Sequence, residues 1–334
     1  MASTPISRLG AVVIGRNEGE RLERCLRSIV PLVERVVYVD SGSTDESVAF
    51  ARGVGAETVA LDPAVPFTAA RGRNEGFARL AAIAPDIEHV QFVDGDCELV
   101  PGWLEVAHAT LSARTDLAVV CGRRRERFRH ASIYNRLCDI EWNTPVGEAA
   151  ACGGDAMIRA SAFGEVGGFD ASLICGEEPE LCLRMRREGW RIERIDHDMT
   201  WHDAAITRFG QWWRRAVRAG YGYAEGWALH GAAPERYCRR EAARIWFYGA
   251  AIPVSALAGA VPTLGLSLGL LATYPVSAAR VYRSTRRRGY SRGDALENAA
   301  FTTLAKFAEL QGTLKYHLGK RAGRRARIIE YKGV

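Results

Sequence analysis

Two carboxylates one residue apart, Asp94 and Asp96, stand where the apolar run 88–93 (Glu-His-Val-Gln-Phe-Val) empties into a loop. Oxygen ligands of this kind suit a hard divalent cation, Mg2+ or Mn2+. Such ions reach a protein through one or two carboxylates, with phosphates and water completing the shell. Asp-Gly-Asp is equally ordinary turn chemistry, so the pair takes its meaning from its surroundings. Two more polar clusters, Asn17-Glu18 and the run Asp40-Ser-Gly-Ser-Thr-Asp45, also directly follow apolar segments.

The elements that must position these groups alternate. Residues 9–15 read as a buried strand, 19–30 as a helix with Leu22, Cys25, Leu26 and Ile29 on one face, and 36–39 as a second strand ending at Asp40. Asp45 stands where a helix through residue 51 needs a cap. Residues 59–61 and 90–93 read as further strands, with a helix over 67–82 between them. Strand and helix at this spacing predict an α/β fold with a mostly parallel sheet and helices on both faces. Ligands of such sheets bind at the carboxyl ends of the strands, where the polar clusters lie.

Composition narrows the class. Apolar residues make up 48% of the 334, which excludes a disordered scaffold. The net charge of +6 is concentrated in basic clusters at 280–292 and 315–332, a surface for anionic partners. Eight cysteines without a Cys-x-x-Cys or paired metal spacing suggest neither zinc nor a disulfide framework, and no secretory signal is evident.

In number, order and spacing the motifs resemble the inverting family 2 glycosyltransferases of the GT-A (Rossmann-like) fold, over roughly residues 9–205. The parts that carry the resemblance are Val-Val-Ile-Gly-Arg-Asn17-Glu18, Val-Asp40-Ser-Gly-Ser-Thr-Asp45, Ala70-Arg71-Gly-Arg73-Asn74-Glu-Gly76, and Asp94-Gly-Asp96-Cys-Glu98 with Pro101-Gly-Trp-Leu104. Downstream follow Gly153-Gly154-Asp-Ala-Met-Ile-Arg159, Val166-Gly-Gly-Phe-Asp170 and Gly176-Glu177-Glu178-Pro-Glu180-Leu-Cys-Leu-Arg184.

The resemblance implies a UDP- or GDP-linked sugar donor and Mn2+ or Mg2+ held by Asp96 with help from Asp94, which also lies near the ribose. It implies nucleotide contacts from Asn17, Glu18, Asp40, Arg73 and Asn74. It implies a catalytic base from the pair Glu177-Glu178, Glu178 by position, although an Asp usually stands second. The same residues also read as an acidic helix start before Pro179. His202 is a further metal or diphosphate ligand, with His197 as its competitor. The acceptor region falls around Gly153, Gly154, Gln211 and Arg214. Gln211-x-x-Arg214 resembles the start of the Gln-x-x-Arg-Trp element of polymerising synthases, but Arg215 replaces the tryptophan. A nucleotidyltransferase would want a Gly-rich, Lys-containing loop after the first strand, which Gly15-Arg16-Asn17-Glu18 is not. A non-catalytic scaffold would have no need of both acidic pairs.

Beyond residue 205 the pattern changes. Residues 207–221 read as an amphipathic helix with Phe209, Trp212 and Trp213 beside Arg214, Arg215 and Arg218, suited to a membrane interface. Residues 245–279 lack any charge; one helix would run about 52 Å, and Pro253, Pro262 and Pro275 argue against it. Arginines on both sides ask for both ends on one face, as a hairpin or a half-crossing pair, with a soluble dimerisation hairpin as the alternative. Over 294–319, Leu296, Ala300, Leu304, Phe307, Leu314 and Leu318 form a docking stripe. The expected organisation is a catalytic domain at 1–205, interface helices at 206–242, a hydrophobic hairpin at 243–282 and a basic helix and tail at 283–334. The expected setting is the cytoplasmic face of the inner membrane, with a lipid-linked or glycan acceptor, a possible homo-oligomer and no nucleic acid.

Overall fold

The computed structural model describes residues 5–232, 234–323 and 328–330; the expected basic tail at 324–327 and 331–334 lies outside them. The chain divides into two compact units, residues 1–128 with 141–204, and residues 129–140 with 205–334. The segment 129–140, which the sequence pattern gave no reason to separate, belongs with the second unit.

In the first unit β1 (Ile6–Gly15), α1 (Glu20–Ile29), β2 (Val33–Asp40), α2 (Ser47–Gly53), β3 (Glu57–Ala60), α3 (Ala69–Ile83) and β4 (His89–Asp94) alternate as expected. β5 (Cys97–Leu99), α4 (Trp103–Ala113) and β6 (Leu117–Glu126) follow, and α5 (Ile133–Trp142) leads from the second unit back into the first. β7 (Gly147–Glu148), β8 (Ala156–Arg159), α6 (Ala160–Glu165), α7 (Glu177–Arg187) and β9 (Arg191–His202) complete it. One sheet runs β3-β2-β1-β4-β8-β6-β9-β5, with β7 on β9. β3, β2, β1 and β4 are parallel neighbours, as are β6 and β9, while β8, β5 and β7 join antiparallel.

The apolar run Leu9–Val13 is buried on both faces, as a central parallel strand requires. α1 buries Leu22, Cys25, Leu26 and Ile29, the face its periodicity marks. α3 starts at Thr68, whose hydroxyl accepts from the Arg71 N–H at 3.0 Å. Register then aligns the strand mouths: Gly15 pairs with Asp40, and Ile14 with Asp94. On the other side of the sheet His202 stands between Cys97 of β5 and Glu126 of β6.

The second unit holds α8 (Phe209–His230), α9 (Arg239–Trp246), α10 (Ile252–Ala258), α11 (Thr273–Arg287) and α12 (Arg292–Arg321). α8 and α12 approach to backbone contact at two glycines. A Cβ on Gly220 would sit 2.0 Å from the Glu309 carbonyl oxygen, and one on Gly312 would sit 1.9 Å from that of Val217. This closeness corrects the expected stripe on α12. Ala295, Ala299, Ala308, Gly312 and Thr313 face inward, while Leu296 and Leu318 are 66% and 64% exposed. Gly312 and Thr313 sit where the two backbones touch, and Glu309 and Tyr316 are buried beside them. On α8, Trp212 is buried with its ring 4.9 Å from that of Phe301, so this aromatic is packed within the protein and Phe209 is left exposed.

Candidate active site

A chain of charges runs across the mouth of the sheet. Arg73, buried on α3, donates to Asp94 Oδ1 at 2.8 Å and to Glu177 Oε1 at 2.9 Å, and lies 3.3 Å from Glu178 Oε1. Its guanidinium also stands over the Phe169 ring at 5.4 Å. Arg124 on β6 is 2.9 Å from Asp155 Oδ2 and 3.8 Å from Asp94 Oδ2. Asp155, fully buried, accepts from the Asp94 N–H at 3.0 Å and from the Thr200 hydroxyl at 2.8 Å. A buried cation is tolerated only with such partners, and loss of any one would leave an uncompensated charge.

The network sorts the acidic groups. Burial opposes ionisation of Asp94, but Arg73 and Arg124 hold its carboxyl below the usual carboxylate range. Glu177 is locked against Arg73 at the start of α7. Glu178 is the contrasting case: burial first, then the adjacent Glu177 carboxylate, push it up to about 7 against the pull of Arg73. Glu180 is held by its own helix, accepting from Arg184.

One residue beyond Asp94, a second cluster forms. Asp96 Oδ2 lies 3.3 Å from His202 Nε2, and Asp96, Cys97 and His202 offer ligand atoms all within 4.8 Å of one another. On its other side the His202 ring has Nδ1 3.9 Å from Glu126 Oε2 and an edge-to-face contact with Trp142 at 4.6 Å. Glu126 itself accepts from the N–H groups of Phe128 and Ala204, at 2.9 and 3.0 Å. Burial, and after it Asp155 and Asp96, push the Cys97 thiol well above its ordinary value. Asp96 and His202 supply a carboxylate and an imidazole, donors that Mn2+ accepts. Asp94 is not part of this cluster; the arginines claim its carboxylate. His197, the alternative histidine, lies outside it as well, its Nδ1 2.6 Å from the Asp198 carbonyl oxygen.

Several residues expected at the donor serve the scaffold. Asp40 accepts from the N–H groups of Gly42 and Ser43 at 2.9 and 2.8 Å, and from the Tyr38 and Ser43 hydroxyls. Its visible work is therefore to shape loop 41–45. Asn17, at φ 54°, accepts from the Thr44 N–H at 2.7 Å and joins the first two strand mouths. Glu18 pairs with Arg21 at 2.8 Å. Asp45 accepts from the N–H groups of Ser47 and Gly19, a turn contact that leads into α2. Asn74 donates to the Phe169 carbonyl at 2.8 Å and accepts from the Phe169 N–H at 2.9 Å, tying α3 to the loop before α7. In the second unit Gln211 is likewise committed, accepting from the N–H groups of Thr207 and Arg208 at the start of α8. Arg214 lines a surface hollow of about 390 Å³ with Phe209, Gly210 and Trp213.

Gly153 faces open space, whereas Gly154 is enclosed. A Cβ on Gly154 would lie 2.9 Å from Asp94 Oδ2 and 3.0 Å from the guanidinium nitrogens of both Arg73 and Arg124. Those atoms are pinned by ion pairs and cannot swing away cheaply. Gly154→Ala is expected to lower stability by about 1–3 kcal/mol and to cut turnover more than the lost folded fraction explains. Thermal unfolding beside kinetics measured at saturating donor checks it.

Residues 11–166 match the family description "Glycosyl transferase family 2". Over those residues, a little under half of the chain, the sequence is that of a family 2 glycosyltransferase domain, and the first unit has a GT-A-like fold. A mannosyltransferase from Pyrobaculum calidifontis, solved in complex with GDP-Man and Mn2+, superposes with a TM-score of 0.58 at 18% identity, over 94% of this chain and 88% of that one. The succinoglycan biosynthesis protein ExoA of Rhizobium meliloti is 30% identical over 187 residues, 52% of this chain and 56% of its own length. An uncharacterized glycosyltransferase of Rickettsia felis is 37% identical over 54 residues, 16% of this chain and 19% of its own. The chain thus spans about half the length of the first relative and about a fifth of the second.

Proposed function

We propose that the chain moves one sugar, with inversion, from a nucleoside diphosphate donor to an acceptor hydroxyl in a Mn2+- or Mg2+-dependent reaction. The acceptor is lipid-linked and is met at the cytoplasmic face of the cell membrane, in polysaccharide or glycolipid assembly. The observation that carries this reading is the presence at one sheet mouth of a carboxyl poised near neutrality, Glu178, beside Arg73 and Asp94, and of the Asp96–His202 cluster two residues further on. The GDP-Man and Mn2+ of the mannosyltransferase complex support the donor class and the ion. The succinoglycan assignment of the ExoA relative supports the pathway class.

Asp96 and His202 are the groups that would hold the ion, with the Trp142 ring packed edge-to-face against the imidazole. A bound divalent ion supplies positive charge to the departing diphosphate. Arg73 keeps Glu177 and Asp94 in place, so that the open carboxylate of the pair, Glu178, takes the acceptor proton as the hydroxyl attacks. A screen of UDP- and GDP-sugars on the detergent-purified protein, reading nucleoside diphosphate release with lipid extract as acceptor, tests the assignment. Release with one donor, dependent on both acceptor and divalent ion, is expected; no release with any donor would reject it.

A base must be ionised to act. With Glu178 titrating at about 7, kcat/KM should fall tenfold per pH unit once the pH drops below that value, and level off above it. A profile flat from pH 8 down to pH 5 would exclude Glu178 as the base.

A further inference from the structure

The charge-free stretch 245–279 folds into a short hairpin. Its outgoing arm is the end of α9, the π-turn 247–251 and α10; the chain reverses over 259–265 and returns through the 3-10 segment 266–272 into α11. α10 is seven residues, about 10 Å at the rise of an α-helix, against a hydrocarbon core of about 30 Å. Among the described residues no helix is long and apolar enough to cross a membrane. The hairpin nevertheless presents its apolar side chains outward. Val261, Leu264 and Leu266 are 86%, 95% and 84% exposed, with Val254 and Leu257 exposed on the arm behind them. A contiguous apolar tip of this kind marks an interaction surface.

Three features of the tip identify what covers it. First, its polar groups turn inward. The Thr263 hydroxyl donates to the Gly259 carbonyl and accepts from the Ser267 N–H, the Ser267 hydroxyl donates to the Ala256 carbonyl, and the Thr273 hydroxyl donates to the Leu270 carbonyl. The reversing backbone closes on itself through Thr263 N–H to Gly259 O, Gly265 N–H to Ala260 O and Leu268 N–H to Gly265 O. Internal satisfaction of this sort is what hydrocarbon demands and water does not. Second, Leu264 has φ 52°, a left-handed conformation that glycine or asparagine would adopt with less strain, and it projects the most exposed leucine of the turn. Third, arginines flank both arms: Arg239, Arg240 and Arg244 before the stretch and Arg280, Arg283 and Arg286 after it, all exposed. Glu241 is the one acidic residue between positions 239 and 288. Such a collar repels a second copy of itself and attracts anionic headgroups. Beside the tip lies an open hollow of about 660 Å³, lined by Tyr248, Leu266, Leu270 and Val276, with Arg280 in its wall.

We infer that the hairpin is a monotopic wedge: residues 254–272 enter the headgroup–acyl boundary of an anionic bilayer without crossing it, and the flanking arginines sit on the lipid phosphates. The inference rests on the membrane-face reading above but not on the transfer chemistry, so the two fail separately. Flotation of the full chain, without donor or metal, on phosphatidylcholine vesicles with and without phosphatidylglycerol tests it. The chain should float with the anionic vesicles, and high salt should weaken the attachment. The double variant L264E/L266E should bind about tenfold more weakly or worse, with an unchanged unfolding midpoint. A second variant, L264W, should show blue-shifted emission in the presence of vesicles, quenched more by bromine near the lipid carbonyls than by bromine at the bilayer centre. Wild-type protein that ignores both vesicle types, or a double variant that floats as well as wild type, would overturn the wedge. So would a double variant whose only change is dissociation of a wild-type oligomer in sedimentation, which would make the tip a contact between copies. Retained transfer to a detergent-solubilised acceptor by protein that does not float would sink the wedge alone; flotation by protein inactive with every donor would sink the transfer reading alone.

Discussion

Glu178→Gln is expected to keep donor binding and to lose turnover by roughly 10²-fold or more, the scale of a removed general base. The amide occupies the same space and keeps the helix start, so the loss reports the proton-accepting oxygen. Glu177→Gln should behave differently. Its carboxylate is buried against Arg73, and an amide there leaves the guanidinium short of charge, so thermal stability should drop along with activity. Glu178→Asp is the informative control, because it restores the residue that usually stands second in the family's pair. The same carboxyl predicts an opposite effect on stability. Its folded value of about 7 lies above its ordinary 4.5. The stability it contributes is therefore present below pH 4.5 and lost as the pH rises through 7. Glu178→Gln removes that loss and should melt above wild type at pH 8, the difference closing toward pH 4.5. A normal turnover number in this variant, with Glu177→Gln dead, would transfer the role to Glu177.

Much of this arrangement is legible in the sequence because parallel α/β folds write it there. Short apolar runs mark strands buried on both faces, and polar residues immediately after them can only lie at the carboxyl mouths. That places Asp94 and Asp96 without any structure. The partners of Asp94 are another matter. Arg124 and Asp155 come from β6 and the entry to β8, and they reach Asp94 because β8 inserts antiparallel between β4 and β6. No local pattern encodes that insertion, and a single Arg among Arg123, Arg124 and Arg125 carries no mark of being the one that meets Asp155 and Asp94. Cys97 and Glu126 are missed for the same reason, since only the register of β5 and β6 on β9 sets them beside His202.

Sequence did not show what Asn74 and Gln211 touch: Asn74 bonds the Phe169 backbone and Gln211 the N–H groups of Thr207 and Arg208. Amide side chains at helix starts and loop junctions satisfy backbone groups first, because an unpaired buried N–H or C=O is costly. The stripe on α12 was read from large aliphatic residues at helical spacing. Where α8 and α12 touch at Gly220 and Gly312, the buried face of α12 instead holds small residues together with Glu309 and Tyr316.

Asp96→Asn is expected to abolish transfer and, more diagnostically, to remove the divalent-ion dependence of nucleoside diphosphate binding. Asp96 is the carboxylate that lies with Cys97 and His202, whereas Asp94 is paired with Arg73 and Arg124. Calorimetric titration of UDP and GDP, with Mn2+ and with chelator, separates the roles. Wild type should bind tightly only with the ion; Asp96→Asn should bind weakly and equally under both conditions. His202→Ala should fall between, because an imidazole contributes ligation without neutralising charge. Asp94→Asn should instead destabilise the fold, by stripping Arg73 of a buried partner, and retain part of the ion response. An Asp96→Asn protein that turns over at the wild-type rate in chelator would remove the metal from the reaction and leave the Arg73–Glu178 pair to account for it alone.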